Sequence, residues 1–307
     1  MLSAPRRLAA GLIASLAACI LMSAGAVAPA RAASDGPEKV KDQCMGRAAG
    51  LDDRMAGCTA LIEAKTETGR TLAVALCNRG YVFTEKKQYE RALADLDAGI
   101  KVDPTYACLF SNRGRAYAFL GQFDKAIADY DEALRLDPKF TLAYNNRGDA
   151  WRHKGDLDRA IADFSQAIRI DPKYARAYGN RGGAYLEKGD GQRAIADFTT
   201  AITLRPTADA FLIRGNAYRD LNQLDRAMAD YAVVADNAPQ DARGWRNRGL
   251  IRLMKNDVSG AIADYDKAIR LDPADALSFN NRGLALVRTK QFTKAIADFD
   301  AALRLDA

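Results

Sequence analysis

Residues 141–172 read TLAYNNRGDAWRHKGDLDRAIADFSQAIRIDP, and this stretch decides the fold. Its fixed points are Asn146-Arg147-Gly148, Gly155, the run Ala160-Ile161-Ala162-Asp163-Phe164, Ala167 and Asp171-Pro172. Leu142, Tyr144, Ala150 and Trp151 form the apolar stripe of a first helix, A. Ala160, Ile161, Phe164, Ala167 and Ile168 form that of a second, B, with the three-and-four spacing of an amphipathic helix. Gly155 stands between them, where a left-handed residue ends a helix. Asp171-Pro172 stops helix B, because proline cannot continue the hydrogen-bond ladder. Gly148 and Ala160 let the two backbones come close, and Tyr144, Trp151 and Phe164 fill the space left over.

The pattern returns on both sides. The helix-A glycines are Gly80, Gly114, Gly148, Gly182, Gly215, Gly249 and Gly283, spaced by 34 residues except for one step of 33 between Gly182 and Gly215. Pro104, Pro138, Pro172, Pro239 and Pro273 stand ten residues before a glycine, whereas Pro206 stands nine before Gly215, which puts the missing residue in one inter-repeat turn. Gly121, Gly155, Gly189, Asn222 and Asn256 separate A from B. Lys87 and Lys290 take that place in the first and last copies, a departure expected to cost stability. A fixed period in this range is the signature of a helical solenoid. Such a chain grows by stacking, so the 307 residues need not share one large core.

The set Tyr178, Gly182, Tyr185, Ala194, Phe198, Ala201 and Pro206 resembles the tetratricopeptide repeat (TPR) family. The match runs over residues 73–307 in seven copies, starting near 73, 107, 141, 175, 208, 242 and 276. The resemblance implies an all-α, right-handed α-solenoid of seven helical hairpins. It also implies a binding module whose concave groove takes a peptide or protein segment.

The same resemblance puts the residue two before each glycine on the concave wall. In six copies this is an asparagine: Asn78, Asn112, Asn146, Asn180, Asn247 and Asn281, with Ile213 breaking the row in repeat five. Asparagine offers a peptide backbone both a donor and an acceptor; the other reading is that these amides bond locally. Arg115, Arg152, Arg176 and Arg246 are neighbouring groove candidates. Some family members hold a C-terminal carboxylate with a Lys/Asn/Asn/Lys/Arg set. Here Cys77, Ser111, Asn145 and Gly179 stand where lysine would be needed, so no such clamp is expected.

A second row places Arg before every glycine and Asp sixteen residues later, as in Arg147 and Asp163. It reads either as a ladder of anion sites or as structural pairs joining A to B or to the neighbouring repeat. The structural reading is favoured, because one partner per charge in every copy is how half-buried charges are satisfied. Toward the C-terminus the groove turns apolar, at Leu250, Leu253, Met254, Leu277, Leu284 and Val287. Leu303 and Leu305 correspond to Ile269 and Leu271, which a following repeat would cover. This apolar end is a candidate surface for self-association into a homo-oligomer.

The first stretch has another composition. Residues 1–32 carry Arg6 and Arg7, an apolar run from Leu8 to Ala28, and then Ala30-Arg31-Ala32. A basic start, apolar middle and small-x-small end make a secretory signal, with cleavage expected before Ala33. Export to the periplasm is the expectation, with secretion as an alternative. Leu16-Ala17-Ala18-Cys19 also resembles a bacterial lipobox, in which Cys19 would be acylated and the chain held as an outer-membrane lipoprotein. Against it, Ile20-Leu21-Met22 continues the apolar run. The run is long enough to raise an uncleaved anchor, though alanine and glycine dilute it. Membrane attachment is expected only through Cys19 or an uncleaved leader.

Without residues 1–32 the net charge falls from +6 to +3, since three arginines and no acids leave. The remaining charges alternate along the repeats. This argues against nucleic acid, which requires a concentrated basic face.

Residues 33–72 read as a degenerate helical cap and loop: a shortened helix A over 38–49, a worn helix B over 53–62, and a polar loop over 63–70. Export permits disulfides. Cys44–Cys58 is the expected staple of the cap, whose outer face has no neighbour. In the related arrays the offsets of Cys77 and Cys108 point to the groove from adjacent A helices, so these two either form a second bridge or remain small apolar thiols. The absence of Cys-x-x-Cys argues against redox catalysis. His153 is the one histidine and reads as a solvated groove residue. Neither metal-ligand spacing nor a nucleophile–base pairing is found. The reading is a non-catalytic module without cofactor or metal.

Overall fold

The computed structural model describes residues 37–46 and 50–306. The expected leader over 1–32, Cys19 within it, and the start of the cap at 33–36 lie outside the described residues. Among the described residues there are sixteen α-helices and no strand. They are α1 (Pro37–Met45), α2 (Leu51–Ala64), α3 (Gly69–Glu85), α4 (Tyr89–Val102), α5 (Ala107–Phe119), α6 (Phe123–Leu136), α7 (Thr141–His153) and α8 (Leu157–Ile170). The second half continues with α9 (Ala175–Glu187), α10 (Gly191–Leu204), α11 (Ala208–Asp220), α12 (Leu224–Asn237), α13 (Ala242–Met254), α14 (Val258–Leu271), α15 (Ala276–Arg288) and α16 (Phe292–Leu305).

From α3 onward the helices form seven hairpins, and local chemistry sets each boundary. A left-handed residue closes every turn within a hairpin: Lys87 at φ 59°, Gly121 at 72°, Gly155 at 82°, Gly189 at 82°, Asn222 at 56°, Asn256 at 66° and Lys290 at 59°. Side chains of Asp156, Asp190 and Asp257 accept the N–H of the residue three places on and so cap α8, α10 and α14. Asp103, Asp137, Asp171 and Asp272 leave the B helices with extended backbone, as a residue before proline must.

Within each hairpin the A-helix glycine meets a large B-helix side chain. A Cβ on Gly148 would lie 2.8 Å from the Phe164 ring and 3.1 Å from the Ala160 carbonyl oxygen. The same encounter recurs as Gly114 on Tyr130, Gly182 on Phe198, Gly215 on Tyr231, Gly249 on Tyr265 and Gly283 on Phe299. Phe164, Tyr130, Tyr231 and Tyr265 are fully buried in consequence. Leu142, which the sequence grouped with the buried stripe, is instead exposed on the far side of α7.

The A helices of successive hairpins lie side by side, as α3 with α5, α5 with α7 and α13 with α15, while each B helix packs on its own A helix and the next one. The A helices therefore form the inner layer of the array and the B helices the outer layer. α9 and α11 make no comparable contact. The 33-residue step falls between them.

The cap departs from its expected bounds. α1 ends at Met45 and not at 49, and α3 begins at Gly69, so the loop expected over 63–70 shrinks to four residues. The extra turn of α3 is held from the turn that follows α4: Arg70 Nε lies 2.8 Å from Asp103 Oδ2, and its guanidinium lies 4.6 Å above the Tyr106 ring. α1 and α2 touch at Gly57, where a Cβ would come within 2.8 Å of the Cys44 backbone nitrogen. Val40, Cys44, Cys58 and Leu61 pack there against Ala75 of α3.

Candidate functional site

The inner layer of A helices is the candidate surface, and the Arg–Asp row is its framework. In every hairpin the arginine fork grips the aspartate with two bonds. Arg147 Nε donates to Asp163 Oδ2 at 2.8 Å and Nη2 to Oδ1 at 2.7 Å, and the bond pairs of Arg79, Arg113, Arg181, Arg214, Arg248 and Arg282 match. The third nitrogen, Nη1, reaches the preceding B helix: Arg113 to Asp97 at 2.6 Å, Arg147 to Asp131 at 2.5 Å and Arg282 to Asp266 at 2.6 Å. In the middle of the array this acceptor becomes a hydroxyl, Ser165 for Arg181 and Thr199 for Arg214. Burial opposes the Arg147 charge, but the bonds to Asp163 and Asp131 outweigh it and lift its pKa. The row therefore joins helices and is not a row of open anion sites. The row thus joins A to B and also to the neighbouring repeat, where the acid sixteen residues before Arg113, Arg147 and Arg282 is the acceptor that the sequence reading did not name.

The asparagines partly spend their amides inside the chain. Asn78 Nδ2 donates to the Cys44 carbonyl at 3.0 Å, Asn112 Nδ2 to the Cys77 carbonyl at 3.5 Å, and Asn180 Nδ2 to Asn145 Oδ1 at 3.0 Å. Each bond crosses from one A helix to the one before it. Asn146 Oδ1 accepts from Asn145 at 3.3 Å, Asn247 Oδ1 from Arg246 at 3.4 Å, and Asn281 Oδ1 from Asn280 at 3.5 Å. All six remain half-buried, with lone pairs or N–H groups to spare.

Three of the four groove arginines are neutralised in place. Arg115 pairs with Glu85 and lies 5.3 Å above the Tyr81 ring. Arg152 binds Glu187 at 2.7 Å and Asp149 at 3.1 Å, and Arg246 binds Asp275 at 2.9 Å. Arg176 is exposed. His153 is exposed as well and stacks on Phe123, with centroids 5.0 Å apart. At the C-terminal end Met254, Leu277, Leu284 and Val287 are exposed, whereas Leu253, expected in the groove, is buried against Tyr265. Leu303, at 71%, and Leu305 are exposed on α16 together with Phe292 and Ile296.

One feature escaped the sequence reading. Arg176, Gly179, Asn180, Gly183 and Glu187 share one stripe of α9, turned away from the side by which Gly182 meets Phe198. A Cβ on Gly179 or Gly183 would touch nothing within 4 Å. The centre of the inner layer is thus bare helix backbone flanked by Asn145, Asn146 and Asn180. The spacing of these glycines was legible, but open space above them is not a property of a sequence.

The sulfurs of Cys44 and Cys58 are adjacent, with Cα atoms 4.6 Å apart. Cys77 and Cys108 are unbridged, their sulfurs 3.1 Å apart. Among the described residues no group of three or more His, Cys, Asp or Glu side chains is placed to hold a metal ion. No described helix is long and apolar enough to cross a membrane.

A family model described as Tetratricopeptide repeat matches residues 111–175, 159–210, 180–242, 212–276 and 248–307, and another, described as TPR repeat, matches 80–121. No significant match is found among curated proteins. Solved structures with the same fold include YrrB, described as a TPR protein with an unusual peptide-binding site. It is 23% identical, with 60% of this chain and 95% of YrrB covered and a TM-score of 0.51. PilF of Pseudomonas aeruginosa is 18% identical, with 67% and 94% covered and a TM-score of 0.59. The Cut9–Hcn1 hetero-tetramer of the APC/C is 20% identical, with 80% of this chain but 51% of that one covered and a TM-score of 0.60. With the repeat geometry and these matches together, this chain belongs to the tetratricopeptide repeat family as an all-α repeat solenoid of the kind that mediates protein–protein interaction.

Proposed function

We propose that the chain is a non-catalytic adaptor of the bacterial cell envelope that takes an extended peptide or protein segment along its inner layer of A helices. The observation that carries this reading is the bare centre at Gly179 and Gly183. One stretch of uncovered backbone on α9, bordered by half-satisfied asparagine amides, lets a second chain come close and still find donors and acceptors. Of the charges beside it, Arg152 is compensated by Glu187 and Asp149, and Arg176 is exposed. A partner held here needs backbone polarity and modest side chains more than strong net charge. Export rests on the basic, apolar and small-residue order of 1–32, and the adjacent Cys44 and Cys58 fit a disulfide made in an oxidising compartment. Acylation at Cys19 would make the same module a lipid-anchored adaptor.

Placing a photo-crosslinking residue at Asn146 in the native host tests the reading. A distinct partner is expected, and Gly179→Leu with Gly183→Leu is expected to abolish its capture while the melting temperature holds or rises, since leucine favours helix over glycine by ~1 kcal/mol at each site. Capture that persists in the filled groove overturns it.

A second reading is favoured by α16, whose exposed Phe292, Ile296, Leu303 and Leu305 correspond to positions that the next A helix covers elsewhere. In it, two copies join through this face into a self-assembling scaffold. Sedimentation is expected to show a concentration-dependent oligomer that Leu303→Glu dissolves; a monomer at high concentration, unchanged by that substitution, removes the reading.

A further inference from the structure

Cys77 and Cys108 form a cluster that groove binding does not use. Cys77 sits on α3 with no exposed surface, and Cys108 sits half-buried on the first turn of α5. Their sulfurs are in contact at 3.1 Å across two successive A helices. A bridge requires about 2.05 Å, so the helices or rotamers need close only about 1 Å. Asn112 aims its side-chain N–H at both sulfurs, at 3.2 Å from Cys77 and 3.7 Å from Cys108.

The two thiols are inequivalent. The hydrogen bond from Cys77, followed by one from the Tyr106 hydroxyl, lowers the pKa of Cys108 against the opposing effect of burial. Burial, with the neighbouring sulfur, raises that of Cys77. The thiol with access to solvent is therefore also the better thiolate, and the inaccessible one lies where it can attack only its neighbour.

We propose that Cys77 and Cys108 are a reversible thiol–disulfide exchange site for small-molecule disulfides of the glutathione type, with Cys108 as the exchanging thiol and Cys77 as the resolving one. The Cys108 thiolate attacks one sulfur of the reagent's disulfide, forming a mixed disulfide and releasing one thiolate. Cys77, losing its proton, attacks Cys108 Sγ, forms the Cys77–Cys108 bond and expels the second thiolate. The two protons from the cysteines end on the two released thiols, so the pair is oxidised by two electrons and the reagent reduced by two. The bond ties repeat one to repeat two at the groove wall, beside Asn112, and the reverse exchange frees it. The site is independent of any groove partner.

Purified full-length chain, reduced and then incubated with oxidised glutathione, tests this by acid quenching, alkylation and peptide mapping. A Cys77–Cys108 linked peptide is expected, with loss of both alkylatable thiols and their return after dithiothreitol. Cys77→Ser is expected to accumulate glutathione on Cys108, whereas Cys108→Ser leaves Cys77 unmodified. Recovery of both wild-type thiols as alkylated cysteine, under conditions that oxidise the urea-unfolded chain, overturns the proposal; this reading needs neither variant. Glutathione on Cys77 in preference to Cys108 overturns the assigned order.

Discussion

Arg147 holds three helices at once, since its two inner nitrogens bind Asp163 of α8 and its outer one binds Asp131 of α6. The aspartate is the more buried partner, with a side chain 8% exposed against 21% for the arginine. Truncating the arginine strands that carboxylate, whereas a residue with no such partner would cost little. Arg147→Ala is expected to destabilise by about 3 kcal/mol, read as a drop in the urea midpoint. Arg147→Ala combined with Asp163→Ala is expected to recover part of the loss, because the unpaired buried charge is gone. Burial lifts the Asp163 pKa even against its arginine. With the folded value raised, this carboxyl adds stability below the unfolded value and loses it as pH rises through the folded one, so acid unfolding does not begin here.

At the scale of the helix, one turn chemistry serves seven hairpins with different residues. Gly155 and Gly189 meet the left-handed turn without penalty, while Lys87 and Lys290 adopt φ 59° with a side chain that disfavours it. The first and last hairpins therefore close under local strain that packing overrides. Helix starts are uneven too. Asp156 and Asp190 cap α8 and α10, and the hydrogen bond from the backbone N–H of Arg159 or Arg193, followed by one from the same side chain, lowers each carboxyl pKa. With the folded value depressed, each cap contributes above the unfolded aspartate pKa of about 3.9 and is lost as pH falls through the folded value. Carbon-detected titration is expected to show both carboxyls titrating below that reference, and Asp156→Asn is expected to flatten the loss of stability in that acid window.

For the whole array, the weak place is the joint before repeat five. The lost residue comes at the Pro206 turn, the contact of α9 with α11 is sparser than that of the other successive A helices, and Ile213 replaces the asparagine of the row. A cleft of about 240 Å³ opens there, lined by Pro206, Phe211, Val233, Val234 and Asn237 among others. Solenoid stability is a sum of units and nearest-neighbour interfaces, so the thinnest interface opens first. Native-state hydrogen exchange is expected to show the lowest protection in α11 and α12, with two plateaus on either side; uniform protection from α9 to α14 contradicts it.

The sequence by itself determined the period, the helix pairs, the turns and the stops. Each of these depends on residues within one 34-residue unit: a glycine opposite an aromatic, a left-handed position, a proline. It also favoured a pairing of the Arg before each glycine with the Asp sixteen residues on, because a spacing repeated in each copy is visible without coordinates. The tertiary structure decided what depends on neighbouring units meeting in space. Only there does the third arm of arginines such as Arg147 find the preceding B helix, and only there do the amides of Asn78, Asn112 and Asn180 turn toward the previous A helix. The same stacking buried Leu253, exposed Leu142, brought Cys77 against Cys108 and left Gly179 and Gly183 uncovered. Local propensity sets the units, but inter-repeat rotation sets which faces meet. That rotation arises from packing summed along the array and has no signature within a single repeat.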